Sequence, residues 1–512
     1  MDRTMRATMF ITKSIASIII TLLALGGCSS EAPNTPAPVA AAKAVPLTTE
    51  PAAIAWFEGD IEAAFATAKK QNKPLFLYWG AEWCPYCKEL EANIFIRDEF
   101  VRLSRQFVPL DMSNGDSETI RYADEYKIYG LPTVIVFSPQ RDELTRMPGG
   151  IDMAQYVAVL ELTLNQIRPV AKLVAAALAG ESLSDSDWQL LANYSWGQDR
   201  GQALGEDKPT DVLMQLRDAA PASDTLLRSR LALAAMEVWL SQEEETRDPS
   251  LASVHVAAIE QILADSTLAQ ANLMKLSGYG QSIVELAQGE QQLALQENLS
   301  KLCKSAVENA EANLLNRASV LSGWAEVATV LLAEGESPAP DQVVWGKRQA
   351  DALVVQLDTY QLHAGVNSLW GVYFDLGLIA DAKQTLQLGI DRSKAPFYFM
   401  SGMGYVELDA DNNEQALAWY RKAWEATRLP LDRTRWGRGY VRRLLNLAPD
   451  DLLEVERAGS LLLADMASQK GGLNAYAKPI AQLDESLEEW SADSPKRQAV
   501  AVSLRARMTD PG

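Results

Sequence analysis

A strand, a pair of thiols and a helix follow one another near residue 80, and this succession constrains the fold more than any other feature of the chain. Pro74-Leu75-Phe76-Leu77-Tyr78-Trp79 is an apolar, aromatic-rich run that reads as a buried strand. Trp83-Cys84-Pro85-Tyr86-Cys87-Lys88 comes next, and Pro85 to Ile94 has helix-forming composition with Pro85 at the first helical position. The N-terminus of that helix turns its free N–H groups and the positive end of its dipole toward the first sulfur, which favours the thiolate. Cys84 is therefore expected to be the accessible nucleophile and Cys87 the shielded, resolving thiol. The alternative is a zinc half-site. It needs two more N or S ligands, and His255, His363 and Cys303 lie far off without metal-ligand spacing. Strand, CxxC and helix in this order point to a dithiol/disulfide centre.

Further residues carry a resemblance. Asn72-Lys73-Pro74, Ala81-Glu82-Trp83-Cys84, Cys87-Lys88-Glu89-Leu90-Glu91, Tyr129-Gly130-Leu131-Pro132-Thr133-Val134 and Gly149-Gly150 together resemble thioredoxin-fold proteins. The likeness is greatest to the C-terminal periplasmic thioredoxin domain of the thiol:disulfide interchange protein DsbD, and it covers about residues 53–168. It implies that Pro132 is cis and lies against the disulfide, with Leu131 offering backbone hydrogen bonds to a bound substrate strand; otherwise Pro132 is an ordinary strand-edge proline. The dipeptide Pro85-Tyr86 matches glutaredoxins. Where many thioredoxins have an acid six residues before the first cysteine, this chain has Tyr78. The DsbD-like domain has a carboxylate matching Glu91, which is otherwise an exposed helix glutamate. Protein substrates with a thiol or disulfide, a thiol protein as electron donor or acceptor, and no cofactor beyond the Cys84–Cys87 pair follow from the same resemblance.

Alternation of elements over residues 53–168 fits that α/β fold. Helices are expected at Asp60–Gln71 and Ser117–Tyr126, and a final one from Asp152 to about Arg168. Strands are expected at Phe107–Asp111, Thr133–Ser138 and Glu143–Met147.

Arg3, Arg6 and Lys13 precede a short apolar stretch, Ser14 to Leu25, which suits a secretory leader better than a membrane span. Leu25-Gly26-Gly27-Cys28 resembles a bacterial lipobox, so residues 1–27 are expected to be removed and Cys28 lipidated. Ser29 beside it implies outer-membrane sorting on the periplasmic side. Residues 28–52, Ala/Pro-rich and without periodicity, read as a tether. Four cysteines then divide into one anchor, one pair and a lone Cys303 in an apolar-periodic stretch, expected to be a buried, inert thiol. The formal charge of −20 does not suit nucleic acid or anionic headgroups.

After Pro169 strand signals cease, and residues 170–512 read as helices alone. Ala382, Leu386, Gly389 and Pro396 recur 34 residues later as Ala416, Tyr420, Ala423 and Pro430. That period resembles the tetratricopeptide repeat. The expected fold class is therefore an α/β thioredoxin-like fold followed by an all-α, TPR-like helical-repeat domain. The expected function is periplasmic thiol–disulfide exchange with proteins. The other class is a non-enzymatic lipoprotein scaffold whose helices bind a partner. His255 and His363 stand apart from any motif and read as structural.

Overall fold

The structure, a computed structural model, describes residues 53–113, 117–147, 153–165, 168–205, 208–333 and 335–509. The predicted leader, Cys28 and tether lie outside the described residues, as do Gly149, Gly150 and Asp152. Four strands form one mixed sheet in the order β2-β1-β3-β4, with β1 Leu75–Trp79, β2 Val108–Asp111, β3 Thr133–Phe137 and β4 Glu143–Met147. The β1 strand runs parallel to β2, pairing Leu75 with Val108, and antiparallel to β3, pairing Leu75 with Phe137. All five residues of β1 are buried. Phe76 and Tyr78 pack on one face of the sheet and Leu75, Leu77 and Trp79 on the other, so both faces are covered and the strand reads as a continuous apolar run.

Helices α1 Ile61–Gln71 and α4 Ser117–Glu125 cover one face. Ile61, Ala64, Phe65 and Ala68 form the buried stripe of α1, Asp60 caps it by accepting the Ala63 N–H at 2.8 Å, and Asn72 ends it in the left-handed region at φ 50°. Helices α2 Pro85–Leu90, α3 Asp98–Ser104 and α5 Met153–Asn165 cover the other face. The expected single helix from Pro85 to Ile94 is interrupted. Past Leu90 it widens into a π-helical turn, Glu91–Phe95, and α3 follows as a helix that the sequence pattern did not reveal. The extra residue per turn sends Ile94 and Phe95 into the α/β core, while Ala92 joins a cluster formed by later helices and Asn93 Oδ1 accepts the Asn313 amide at 3.0 Å.

Beyond Val170 the described residues form helices and no strands. Five successive helices repeat with a fixed step: Leu362–Asp375, Pro396–Asp409 and Pro430–Leu447 start 34 residues apart, as do Ile379–Arg392 and Asn413–Ala426 between them. Pro396 and Pro430 each occupy a first helical position, and Ala382, Ala416 and Ala423 are fully buried where helices meet. The change of secondary structure near Pro169 is not a break in packing. One hydrophobic cluster runs from Phe76 through Leu160 to Leu173, Trp196 and Val238. The Tyr194 hydroxyl donates to Glu143 at 2.8 Å across the same junction, and Glu143 pairs with the buried Arg146 at 3.0 Å.

Candidate active site

Cys84 sits at the N-cap of α2 because its extended backbone (φ −84°, ψ 113°) ends the loop after β1, and Pro85 starts the helix. Its sulfur accepts the Cys87 N–H at 3.2 Å, so a free donor of the helix N-terminus is aimed at the first sulfur. The two sulfurs are bonded, with Cα atoms 5.2 Å apart. Leu131–Pro132 is a cis peptide, and Leu131 and Trp83 pack against the cluster that holds both cysteines. The fold thus gathers Cys84, Cys87, Trp83 and Leu131 around one cluster, with cis Pro132 next to Leu131 in the chain. Tyr86 is 60 % exposed beside them, and Pro85 is buried.

Exposure of the first sulfur differs from the expectation. Cys87 is 0 % exposed, but Cys84 is only 2 % exposed. The Leu362–Asp375 helix packs across α2, a contact between residues nearly 300 apart in the chain. Glu91 is not a free helix glutamate either. Its carboxylate accepts the Tyr78 hydroxyl at 2.9 Å and pairs with Lys88 at 2.9 Å, while Lys88 also pairs with Glu82. The tyrosine that replaces the usual acid on β1 is thus bonded to the acid that opens the π-helical turn after α2, and burial beside Glu91 pushes its phenol far up. Cys303 is fully buried, and burial pushes its thiol up to about 12, away from reactivity. Among the described residues no group of His, Cys, Asp and Glu has the arrangement of a metal site.

Helices far along the sequence hold Trp83 by both its backbone and its ring. His363 Nε2 lies 2.9 Å from the Trp83 carbonyl, which can only accept, so the ring carries its proton on Nε2 and Nδ1 accepts from Ser393 Oγ at 2.8 Å. Burial lowers the His363 pKa to about 4 and keeps the ring neutral. The Arg435 guanidinium lies 4.2 Å above the Trp83 ring, Trp436 meets it edge-on at 5.2 Å, and Tyr398 stacks at 6.4 Å. Asp432 accepts the indole N–H; burial pushes its carboxyl up to about 6. On the other side of the site, Gln198 Nε2 donates to the Pro132 carbonyl at 2.7 Å.

None of these helical-region contacts was found from the sequence. His363 read as remote from any motif, yet the fold places it on the residue before Cys84. One signal was available: Pro430–Leu447 has five arginines against one aspartate in a chain of net charge −20.

Residues 61–164 match the family model described as Thioredoxin-like domain. The chain carries a thioredoxin-like domain. Curated relatives include the thiol:disulfide interchange protein DsbD of Yersinia pestis, 32 % identical over 100 residues, which are 19 % of this chain and 17 % of that protein. DsbD 1 of Pseudomonas aeruginosa is 30 % identical over 99 residues, 18 % of this chain and 17 % of its own. The chain thus matches about a sixth of the length of these relatives. Among solved structures, a DsbH oxidoreductase aligns with 25 % of this chain and 96 % of its own at 19 % identity, with a TM-score of 0.22. A thioredoxin-like domain with a bonded Cys84–Cys87 pair points, at the level of the family, to thiol–disulfide redox chemistry.

Proposed function

We infer that this chain is a periplasmic thiol–disulfide oxidoreductase that exchanges disulfides with protein substrates through its CPYC dithiol. The observation that carries the reading is the closed Cys84–Cys87 pair at the N-cap of α2, its first sulfur accepting the Cys87 N–H, packed with cis Leu131–Pro132. In the reducing direction the Cys84 thiolate attacks one sulfur of a substrate disulfide, and the other substrate sulfur leaves as a thiolate and takes a proton. The Cys87 thiolate then displaces the substrate from Cys84, closing the protein disulfide and releasing the second substrate thiol. Two electrons pass from the dithiol to the substrate, and a thiol protein restores or drains them; the dithiol is the redox group and nothing else is invoked. Leu131 would offer its backbone to the substrate strand, with Trp83 and Tyr86 framing the site and Glu91 serving proton transfer at Cys87 through its place beside Tyr78. Lipid on Cys28 would anchor the chain to the outer membrane. Among the described residues no helix is long and apolar enough to cross a membrane. The 34-residue helical step supports a TPR-like stack that selects the client.

The near-complete cover of Cys84 favours a second reading, a scaffold whose helices bind a partner while the disulfide stays shut. One experiment separates the two. Reduced wild-type protein should turn over a model protein disulfide, Cys84→Ser should abolish turnover, and Cys87→Ser should accumulate a mixed disulfide seen by non-reducing electrophoresis. Absence of turnover with no trapped adduct sinks the oxidoreductase reading and leaves the scaffold.

A further inference from the structure

The helix Pro430–Leu447 gathers five arginines, at 433, 435, 438, 442 and 443, in an acidic chain. Their partners divide them sharply. Arg433 pairs with Asp465 at 2.8 Å, and Arg443 lies 4.0 Å over the Tyr420 ring. Arg435, Arg438 and Arg442 fall on one face at steps of three and four, and among the described residues none of them forms an ion pair. Arg435 lies on Trp83, and Arg438 donates to the neutral Gln482. The pKa of each of the three is lowered, first by loss of hydration; for Arg438 the neighbouring Arg435 and Arg442 add to it. Arg435 has the Asp432 carboxylate as a neighbour, and three desolvated cations around one carboxylate remain costly to hold together unless a further anion joins them.

Arg435 and Arg438 border a cavity of about 290 Å³ between this helix and the thioredoxin-like domain. That size is near the low end of small-ligand pockets, roughly 300–1,000 Å³. Its lining also includes Trp83, the residue before Cys84, and Leu131, the residue before cis Pro132. Thr434, 4 % exposed, also lines the cavity, and its hydroxyl has no hydrogen-bond partner among the described residues. Of the acids on the wall, Asp432 lies beside the Trp83 indole and Arg435, and Glu82 pairs with Lys88. Among the described residues the cavity therefore offers two cations without an ion pair and two hydroxyls without a hydrogen-bond partner, those of Thr434 and Ser113, next to the dithiol.

We propose that this cavity binds the carboxylate of an acidic residue flanking the reacting cysteine of a peptide client, so that Arg435, Arg438 and Thr434 hold the anion while the client's sulfur meets Cys84. The inference rests on the oxidoreductase reading above, and the exchange step is the one written there. A global charge of −20 repels acidic peptides, so a preference for them must come from a local site.

The test uses the full chain, reduced, and two synthetic disulfide peptides identical except for glutamate or glutamine beside the cysteine. Wild type should reduce the glutamate peptide about tenfold faster at low salt, a factor equal to one charge-assisted hydrogen bond. The ratio should shrink in high salt, fall toward one in Arg435→Gln/Arg438→Gln, and survive in large part in Arg435→Lys/Arg438→Lys. A wild-type ratio of one or below overturns the proposal without any variant, and an unchanged ratio in the Gln/Gln variant overturns it equally. If neither peptide is reduced, the oxidoreductase reading is what fails. The pocket is then read alone, with serine in place of the peptide cysteine and tryptophan fluorescence as the signal. Binding of the glutamate peptide only supports the pocket, and equal or no binding of the two overturns it.

Discussion

At the residue scale, His363 turns a distant helix into part of the dithiol's surroundings. Its folded pKa of about 4 lies below the ordinary 6.5, so the folded chain refuses a proton that the unfolded chain accepts. The stability this gives is complete above pH 6.5 and is lost as pH falls toward 4, by up to roughly 3 kcal/mol. His255, also lowered to about 4, acts in the same direction, whereas Glu89 and Glu326, pushed up to about 7 by burial, gain stability as pH falls. A difference between variants therefore isolates His363. Denaturant midpoints of wild type and His363→Gln at pH 7 and pH 4.5 should show the variant losing less on acidification. Parallel losses would remove the neutral, buried imidazole from the account.

At the element scale, small residues set how closely the repeated helices approach. A Cβ on Gly389, in the Ile379–Arg392 helix, would stand 2.6 Å from ring atoms of Phe399, which is fully buried in the next helix. Gly389→Ala should destabilise the chain by about 1–3 kcal/mol through overpacking, read by chemical denaturation, and an additional Phe399→Leu should recover part of it. This position was legible in the sequence as one of the residues recurring at the 34-residue step. So were β1, the N-cap role of Cys84 and α1, because each depends on neighbours along the chain: a continuous apolar run, a proline at the first turn, an apolar stripe at helical spacing. The π-helical turn after Leu90 was not. It is set by what Ala92 and Asn93 meet, and those partners, Asn313 among them, come from helices more than 200 residues away. Glu91 was half legible: its place on the helix was clear, but its bond to Tyr78 needed the sheet and α2 to be seen together.

At the scale of the whole molecule, the thioredoxin-like domain is packed into the helices rather than tethered to them. Because one hydrophobic cluster spans Phe76 to Val238, a chain cut after Arg168 loses the partners of its own core. Each large apolar side chain exposed costs about 1.5–3 kcal/mol, so the fragment 53–168 should bind a hydrophobic dye and melt without cooperativity, while the full chain should not. A cooperative, dye-free 53–168 would show that the junction contributes little. The clamp on Trp83 has one more consequence. A single peptide unit is bonded covalently to Cys84 and held through its carbonyl by a histidine of the helical array. Thermodynamic reciprocity then ties the two ends together: a ligand that prefers the helices tenfold when the dithiol is reduced must raise its midpoint potential by about 30 mV. By the same equality, oxidation must loosen the grip on that ligand tenfold, so occupancy of the helices would report the electron count of the dithiol.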